Sequence, residues 1–349
     1  MPTPLETEAT NPIRVTAAQA LISRRWQPWL LLGLLVAVVT LSLFWGRYPR
    51  IGFLTLPDLS SDALASRLVW NLRLPRLLAG VLIGMSLASA GMVFQMVFAN
   101  PLVEPGFLGV SQAAAFGAAF SIVFLSGAAW LVQGSAVFFG LLGLAASYLL
   151  ARRVRYGGWV LRLLLAGIAV SALFSAGVGL LKYLADPMRQ LPEITFWLLG
   201  GLYSITWQRL FSVLPLILLG LLVIYLMRWR LNLVALEDDV AFSLGIAVNR
   251  ERLLILVAAV AVTAASISVS GLIGWAGLIV PHIARRLAGA DSRYSIPISL
   301  LFGALFMVVC DNAARTLLAG EVPLGILTSL IGALTFLILM TRPQMSTHA

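Results

Sequence analysis

Three residue types that often carry chemistry are almost absent from this sequence. Lys182 is the only lysine, His282 and His348 are the only histidines, and Cys310 is the only cysteine. A Walker A loop needs a lysine directly after a glycine to reach the phosphates, and Lys182 follows a leucine. One cysteine cannot form an intramolecular disulfide, and two distant histidines supply no cluster of metal ligands. We therefore expect a chain that is not an enzyme and that binds no metal or cofactor itself.

The cationic residues are otherwise arginines, and the chain has 24 Lys+Arg against 14 Asp+Glu. A net charge of +10 on a soluble protein would suggest nucleic acid, but only 11% of the residues are charged and 60% are hydrophobic. The mean hydropathy of +0.97 is typical of a chain that lies in a bilayer. The arginines are thus expected beside anionic membrane lipid and protein partners, and no nucleic acid is expected.

Apolar runs divide the chain into candidate membrane spans. A hydrocarbon core of about 30 Å needs about 20 helical residues. Ten runs fit: 28–46, 74–98, 107–128, 130–151, 160–183, 209–229, 253–271, 273–288, 296–318 and 323–341. The eighth is short and interrupted by Gly274, Gly277 and Pro281, which indicates a half-helix or a continuation of its neighbour. We predict an all-α polytopic membrane protein with about ten transmembrane helices.

The distribution of arginines orients these spans. With the N-terminus inside, 15 of the 24 cationic residues fall in cytoplasmic segments and 9 outside, as the positive-inside rule expects. Residues 1–27 are then a cytoplasmic N-terminal segment, 28–342 a single transmembrane domain and 343–349 a cytoplasmic tail. Five arginines still crowd the first outer segment, which indicates a docking surface or helix ends that snorkel: Arg47, Arg50, Arg67, Arg73 and Arg76.

The second run carries small residues along one face. Gly84, Ala88, Gly91 and Gln95 recur every three or four residues, a spacing that lets another helix or a transport pathway come close. Gln95 either makes an interhelical hydrogen bond or lines the pathway. The Asn100-Pro101 pair that follows predicts a helix-breaking corner, with a pathway-lining role as the alternative.

The segment 236–252 is the longest internal polar interruption. It runs from three acids through an apolar patch to a glycine: Glu237, Asp238, Asp239, Val240, Ala241, Leu244 and Gly245. Acids favour the N-terminus of a helix and glycine favours its end, so the segment predicts a short amphipathic helix. A solvated loop would not need the apolar patch, and we therefore expect this helix to dock a cytoplasmic partner.

A series of different short motifs extends from residue 73 to the last run. They are Arg73-Leu74-Pro75-Arg76; Gly91 and Gln95 with Asn100-Pro101-Leu102, Pro105 and Leu108-Gly109-Val110; Leu244-Gly245; Gly277-Leu278-Ile279-Val280-Pro281-His282 with Arg285, Gly289 and Asp291; Asp311 with Ala314-Arg315; and Pro323-Leu324-Gly325 with Gly332. Their order and spacing together resemble the FecCD permeases. These are membrane subunits of binding-protein-dependent ABC importers for iron chelates, haem and vitamin B12.

The resemblance implies the type II ABC importer architecture with ten transmembrane helices. Two copies would pair around a pathway in a bacterial or archaeal cytoplasmic membrane, with two ATPase subunits below and a periplasmic or lipid-anchored binding protein above. Arg73, Arg76 and Arg315 would receive acids of the binding protein. The alternative for Arg315 is an i,i+4 pair with Asp311, and the two roles are compatible in different states. Residues 236–252 would be the coupling helices. ATP and magnesium would bind the ATPases and not this chain.

The cargo implied is an iron siderophore or another metal chelate, with haem and cobalamin next and molybdate a more distant option. A rival function is an ion-coupled secondary transporter, which needs an acid or a broken helix near the bilayer midplane. Asp311 is interpreted as the deepest acid, and Arg315 is its expected partner. His282 is interpreted as capping the end of run 273–288 and is a poor candidate for binding haem or a metal.

Overall fold

The computed structural model describes residues 12–46, 52–54, 62–236, 238–245, 247–318 and 320–341. The α-helices in these ranges are α1 Pro12–Phe44, α2 Ala63–Leu68, α3 Leu74–Val97, α4 Val110–Phe124, α5 Ala129–Arg153, α6 Trp159–Leu184, α7 Gln190–Leu199, α8 Trp207–Val234, α9 Asp238–Ser243, α10 Val248–Ser270, α11 Ala276–Ala288, α12 Ser292–Thr316 and α13 Leu324–Thr341. A π-helical turn, Val69–Arg73, joins α2 to α3, and a 3₁₀ turn, Pro105–Leu108, precedes α4. Two short strands, β1 Trp45–Gly46 and β2 Gly52–Phe53, pair antiparallel after α1.

Each of the ten predicted runs contains a helix, so the prediction of an all-α polytopic membrane protein with about ten membrane helices is confirmed, although not every one of them is a full span. The runs correspond to α1, α3, α4, α5, α6, α8, α10, α11, α12 and α13. Within the described ranges, seven helical segments are long and apolar enough to cross a membrane, and α4 and α13 are shorter apolar helices. Helix α1 begins at Pro12, well before its apolar part, so the backbone of residues 12–27 belongs to the same helix as the first run.

Helices α3 and α10 form the centre of the bundle. We compare the buried share of the most apolar 18-residue stretch of each segment. It is 78% in the segment that ends in α3 and 83% in α10, but only 28% in α6 and 11% in α1. Small residues make this central position possible, because they let several helices touch α3 at once. The exposed faces of α1 and α6 therefore lie at the outside of the protomer.

Two glycine pairs bring backbones into contact at the centre. A Cβ on Gly84 would overlap the Gly303 carbonyl of α12, and a Cβ on Gly91 would overlap the Gly277 carbonyl of α11. Ala88 lies between these crossings, and its carbonyl accepts a hydrogen bond from the Ser299 hydroxyl at 3.1 Å. The predicted stripe of small residues is thus a helix-packing surface within the protomer.

Helices α4 and α11 are too short to cross a bilayer. They have 15 and 13 residues, which is about 20 Å each against a hydrocarbon core of about 30 Å. Each starts after a left-handed residue, Gly109 with φ 80° and Trp275 with φ 67°. The half-helix interpretation of run 273–288 is confirmed. The interpretation of His282 as an end cap is wrong, because His282 lies inside α11 and Gly289 ends it.

We use two reference points to describe position along the bundle. The Arg76 end contains the start of α3 and the start of α8, where the Trp207 indole donates to the Trp70 carbonyl at 3.0 Å. The α9 end contains the end of α8 and the start of α10, which flank α9.

The Gly91 crossing should be the least tolerant of added volume. We expect Gly91→Ala to force α3 and α11 apart and to destabilise the fold by about 2 kcal/mol or more. The matched control is Gly134→Ala on α5, where a Cβ would meet no atom within 4 Å and helix propensity should add up to about 1 kcal/mol. Thermal unfolding of the detergent-solubilised protein, followed by circular dichroism, compares the two. Equal melting temperatures would contradict the packing role of Gly91.

Candidate functional site

A carboxylate at the Arg76 end holds two of the three predicted docking arginines. The Asp311 carboxylate accepts from Arg76 Nε at 2.9 and 3.2 Å, and Arg76 Nη2 lies 2.8 Å from Oδ1. Arg315 Nε lies 3.3 Å from Oδ2. Asp311 is almost fully buried, so its charge is compensated by two guanidinium groups. The alternative in which Arg315 pairs with Asp311 at i,i+4 spacing is confirmed.

The local helix geometry explains why these charges meet. Asp311 and Arg315 are one turn apart near the end of α12, and Arg76 lies in the first turn of α3. Arg76 also donates to Glu321 Oε1 at 2.7 Å. The Glu321 side chain is 45% exposed, whereas Arg76 and Arg315 are 12% and 13% exposed. Glu321 thus covers a cation pair that is otherwise mostly buried.

Arg73 lies at the same end but faces a different neighbour. Its guanidinium donates to the carbonyls of Leu43 and Phe44 at 3.2 and 3.4 Å, at the end of α1 where carbonyls have no partner within the helix. A side chain on Gly46 would overlap this guanidinium. The structure therefore brings the three arginines to one end but joins only Arg76 and Arg315 through a shared acid. Their docking role remains a prediction.

Gln95 is buried at the junction of α3 and α11. Its Nε2 donates to the Leu278 carbonyl at 3.0 Å, and its Oε1 accepts from Arg285. The interhelical hydrogen bond expected of Gln95 is thus confirmed. Gly84, Ala88 and Gly91 are buried as well, and a pathway role for these four residues remains a prediction.

The corner predicted at Asn100 and Pro101 is present. Ala99 has a left-handed backbone with φ 46°, and Asn100 Oδ1 accepts from the Leu102 amide at 2.9 Å. Pro101 and Leu102 are exposed. The chain then turns back toward the middle of the bundle, because Pro105 packs beside Gly277. The corner therefore starts a re-entrant segment, 98–109, that ends where α4 begins.

This re-entrant segment carries an acid that the sequence analysis missed. Glu104 lines a cavity together with Leu87 of α3 and Thr263 of α10. Leu87 is 13 residues from the start of α3 and Thr263 is 15 from the start of α10, which places the cavity about 20 Å from either end. The interpretation of Asp311 as the deepest acid was therefore wrong. Two nearby prolines, Pro101 and Pro105, were the available signal that run 107–128 does not cross the whole bilayer.

The polar helix predicted around residue 240 is α9. It begins at Asp238 and Asp239, and Gly245 follows it with φ 78°; Glu237 lies outside the described residues. Ala241 is fully buried, whereas Leu244 is exposed. The most exposed apolar side chain of α9 is that of Phe242 at 77%, a residue that the sequence analysis did not select.

Arg252 fixes the two chain segments that flank α9. Its guanidinium donates to the Val234 carbonyl at the end of α8 at 3.3 Å, and it stacks on the Trp159 ring at 4.8 Å. Trp159 is the first residue of α6, and its ring also stacks on Phe98 at 6.2 Å. The base of α9 is thereby connected to α6.

Asp291 organises the same end between α11 and α12. Its carboxylate accepts from Asn232 Nδ2 at 2.8 Å and from the Arg293 amide and Nε at 3.0 and 2.7 Å. The hydrogen bond from the Arg293 side chain lowers the pKa of Asp291 from 3.8 to about 2. Asp291 is thus an ionised N-cap of α12 at neutral pH.

The model of the FecCD transport family matches residues 34–342. The chain belongs to the FecCD transport family. Its members are permease subunits of ABC transporters, which are not catalytic themselves. Every described helix from α3 to α13 lies within the match, so membership covers both ends of the bundle and the re-entrant segment. The ion-coupled alternative receives no support from this family, although a broken helix and a deep acid are both present.

Two named relatives and one solved structure are similar to this chain. The chain is 37% identical to the molybdate import system permease protein MolB of Haemophilus influenzae, over 88% of this chain and 93% of the relative. It is 39% identical to the hemin transport system permease protein HmuU of Yersinia pestis, over 92% and 98%. A solved structure described as a metal-chelate type ABC transporter in an inward-facing conformation is 36% identical, with a TM-score of 0.83 over 90% of this chain and 98% of that chain.

Asp311 should be essential to the charge cluster at the Arg76 end. We expect Asp311→Asn to leave Arg76 and Arg315 with uncompensated charge and to destabilise the FecCD fold by about 3 kcal/mol. The matched control is Glu321→Gln, which removes a more exposed carboxylate from Arg76 and should cost less than about 1 kcal/mol. Thermal unfolding in detergent measures both variants. A larger loss for Glu321→Gln would contradict the central position of Asp311.

Proposed function

We propose that this chain is the membrane permease of an ABC importer that carries a metal chelate into the cytoplasm. In this proposal two copies form the pathway, two ATPases bind on the cytoplasmic side, and a binding protein delivers cargo from outside. The likeness to the metal-chelate type transporter carries the proposal, since it extends over 90% of this chain. Both chain termini and α9 would face the cytoplasm, in agreement with the arginine distribution.

The Arg76 end would receive the binding protein. Arg73, Arg76 and Arg315 make this end cationic, and a partner carboxylate would find Arg76 already held by Glu321 and Asp311. Because Glu321 is the more exposed of the two acids, docking would exchange Glu321 for an acid of the binding protein and leave Asp311 in place. Such an exchange keeps every guanidinium paired during docking.

The α9 end would receive the ATPases. Phe242 of α9 and Leu244 directly after it are exposed apolar side chains, and an apolar anchor that inserts into a partner cleft is the usual centre of an interface. The Asp238, Asp239, Ala241 and Gly245 positions would shape and terminate this helix. ATP and magnesium would be bound by the ATPases, and this chain would contribute movement only.

One relative supports a second cargo class, the oxyanions. The relative MolB is named for molybdate import and is 37% identical to this chain, whereas HmuU is named for hemin transport at 39%. Identity therefore does not separate an oxyanion from a chelate. We propose a metal chelate because the solved metal-chelate type transporter has the same fold over nearly its whole length.

The importer function is tested in vesicles that contain the chain, its ATPase and its binding protein. We expect uptake of a ferric siderophore to require internal-facing ATPase, ATP and the binding protein together. Vesicles that contain only the permease chain are the control, and they should show no uptake above leakage. Uptake by the chain alone, driven by a proton or sodium gradient, would overturn the ABC importer proposal.

Phe242 should be the anchor for the ATPase. We expect Phe242→Ala to weaken co-purification of the ATPase and to raise its Kd at least about tenfold, because the buried area of a hot-spot aromatic is lost. The control is Phe124→Ala at the Arg76 end, which removes a phenylalanine that is 57% exposed. Unchanged ATPase binding by Phe242→Ala would remove α9 from the interface.

A further inference from the structure

The strongest unassigned feature is a polar groove in the middle of the bundle. It consists of two adjoining cavities of about 180 and 310 Å³ that share Glu104, Gly106, Ser111 and Gln112. The larger cavity opens between the start of α4 and α6, where Ser171 completes its polar lining. Among the described residues that line the two cavities, Glu104 is the only ionisable one.

Glu104 is held in place by its surroundings. Its carboxylate lies beside the Trp275 backbone at the start of α11. The preceding corner and the following turn are fixed as well, since the Ser147 hydroxyl donates to the Leu108 carbonyl at 2.9 Å and a Cβ on Gly167 would overlap the Phe107 carbonyl. The backbone next to Glu104 is thus fixed, which preorganises its carboxylate to face the groove.

The position of this carboxylate determines what can cover it. Glu104 is about 20 Å from either end of the bundle and is partly exposed at the protomer surface, as are Ser111, Gln112 and Ser171. Acids at this depth face a protein interior or a water-filled cavity, because hydrocarbon does not solvate them. Acyl chains therefore cannot cover the groove, and water in a transport pathway satisfies the requirement.

We propose that this groove is the mid-membrane wall of the translocation pathway and that Glu104 selects the cargo. The proposal rests on the importer function and deepens it by naming the cargo class. An ionised Glu104 carboxylate repels free oxyanions and accepts hydrogen bonds from donors on a neutral or cationic metal chelate. In a homodimer two such carboxylates would face one pathway, which doubles the repulsion of an anion.

Thiol labelling tests the groove without any partner protein. The full-length chain with Cys310→Ala is the background, and Gln112→Cys introduces a single cysteine in the groove. The control is Leu219→Cys on α8, where the native side chain is 61% exposed and lies 12 residues from the helix start. The probes are a cationic trimethylammonium-ethyl methanethiosulfonate and an anionic sulfonatoethyl methanethiosulfonate, added to vesicles. We expect rapid modification after Gln112→Cys and none after Leu219→Cys. No modification after Gln112→Cys would overturn the water-filled groove.

The charge of Glu104 is tested by the ratio of the two labelling rates. We expect the cationic probe to be favoured after Gln112→Cys, and Glu104→Gln to reduce that preference at least about fivefold. Glu104→Asp keeps the charge and should keep the preference, which separates charge from a general change in folding. An unchanged ratio in Glu104→Gln would overturn selection by this carboxylate.

Transport distinguishes the cargo class from the importer function. Vesicles with the complete importer are given radiolabelled molybdate or a neutral ferric hydroxamate, and we expect ATP-dependent uptake of the hydroxamate only. ATP-dependent uptake of molybdate would overturn the cargo class while leaving the importer intact. If uptake of neither probe, nor of any other chelate, depends on ATP, the importer function fails. The labelling result still decides whether the groove holds water.

Discussion

Hydrocarbon solvates neither backbone polar groups nor charge, and each break in the helices of this chain has to satisfy that constraint internally. The breaks before α4 and α11 lie within the bundle, where Glu104 lies beside the Trp275 backbone and the Leu108 carbonyl accepts from the Ser147 hydroxyl. Close backbone contact supplies the rest of the order. Gly91 meets Gly277 across α3 and α11 because neither residue has a side chain, so the half-helix is pinned where it begins.

The same constraint explains the charge cluster at the Arg76 end. The charge of a carboxylate as buried as Asp311 requires compensation. The two guanidinium groups beside it carry more positive charge than one carboxylate can neutralise. The excess cation is then covered by Glu321, which is the exposed member of the cluster. In the proposed docking, a site built in this way is stable without its partner and Glu321 is its one exchangeable contact. The proposal thus assigns the permanent pairing to Asp311 and the exchangeable pairing to Glu321 within one network.

Sequence patterns predicted which residues form helices better than how deep each residue lies in the bundle. Ten apolar runs and the i,i+4 pair of Asp311 and Arg315 follow from local spacing, and the glycine stripe follows from helical periodicity. The depth of Glu104 did not, because Glu104 lies in the gap between runs 74–98 and 107–128. Only the packing of Pro105 against α11 and of Phe107 against α6 places that gap inside the bundle. Phe242 was missed for a related reason: on a six-residue helix, the bundle alone decides which apolar residue is buried, and it buries Ala241.

The groove and the α9 end are connected through α6. Arg252 holds the end of α8 and stacks on Trp159, so a displacement of α9 and its flanking segments reaches the first turn of α6. Further along the same helix, Gly167 packs against the Phe107 carbonyl, and Ser171 lines the groove beside Glu104. Packed helices move as units because the side chains between them leave little free volume. A shift of α6 that separates Gly167 from Phe107 therefore changes the width of the groove at the carboxylate itself, which gives movement at the α9 end a direct route to the middle of the membrane.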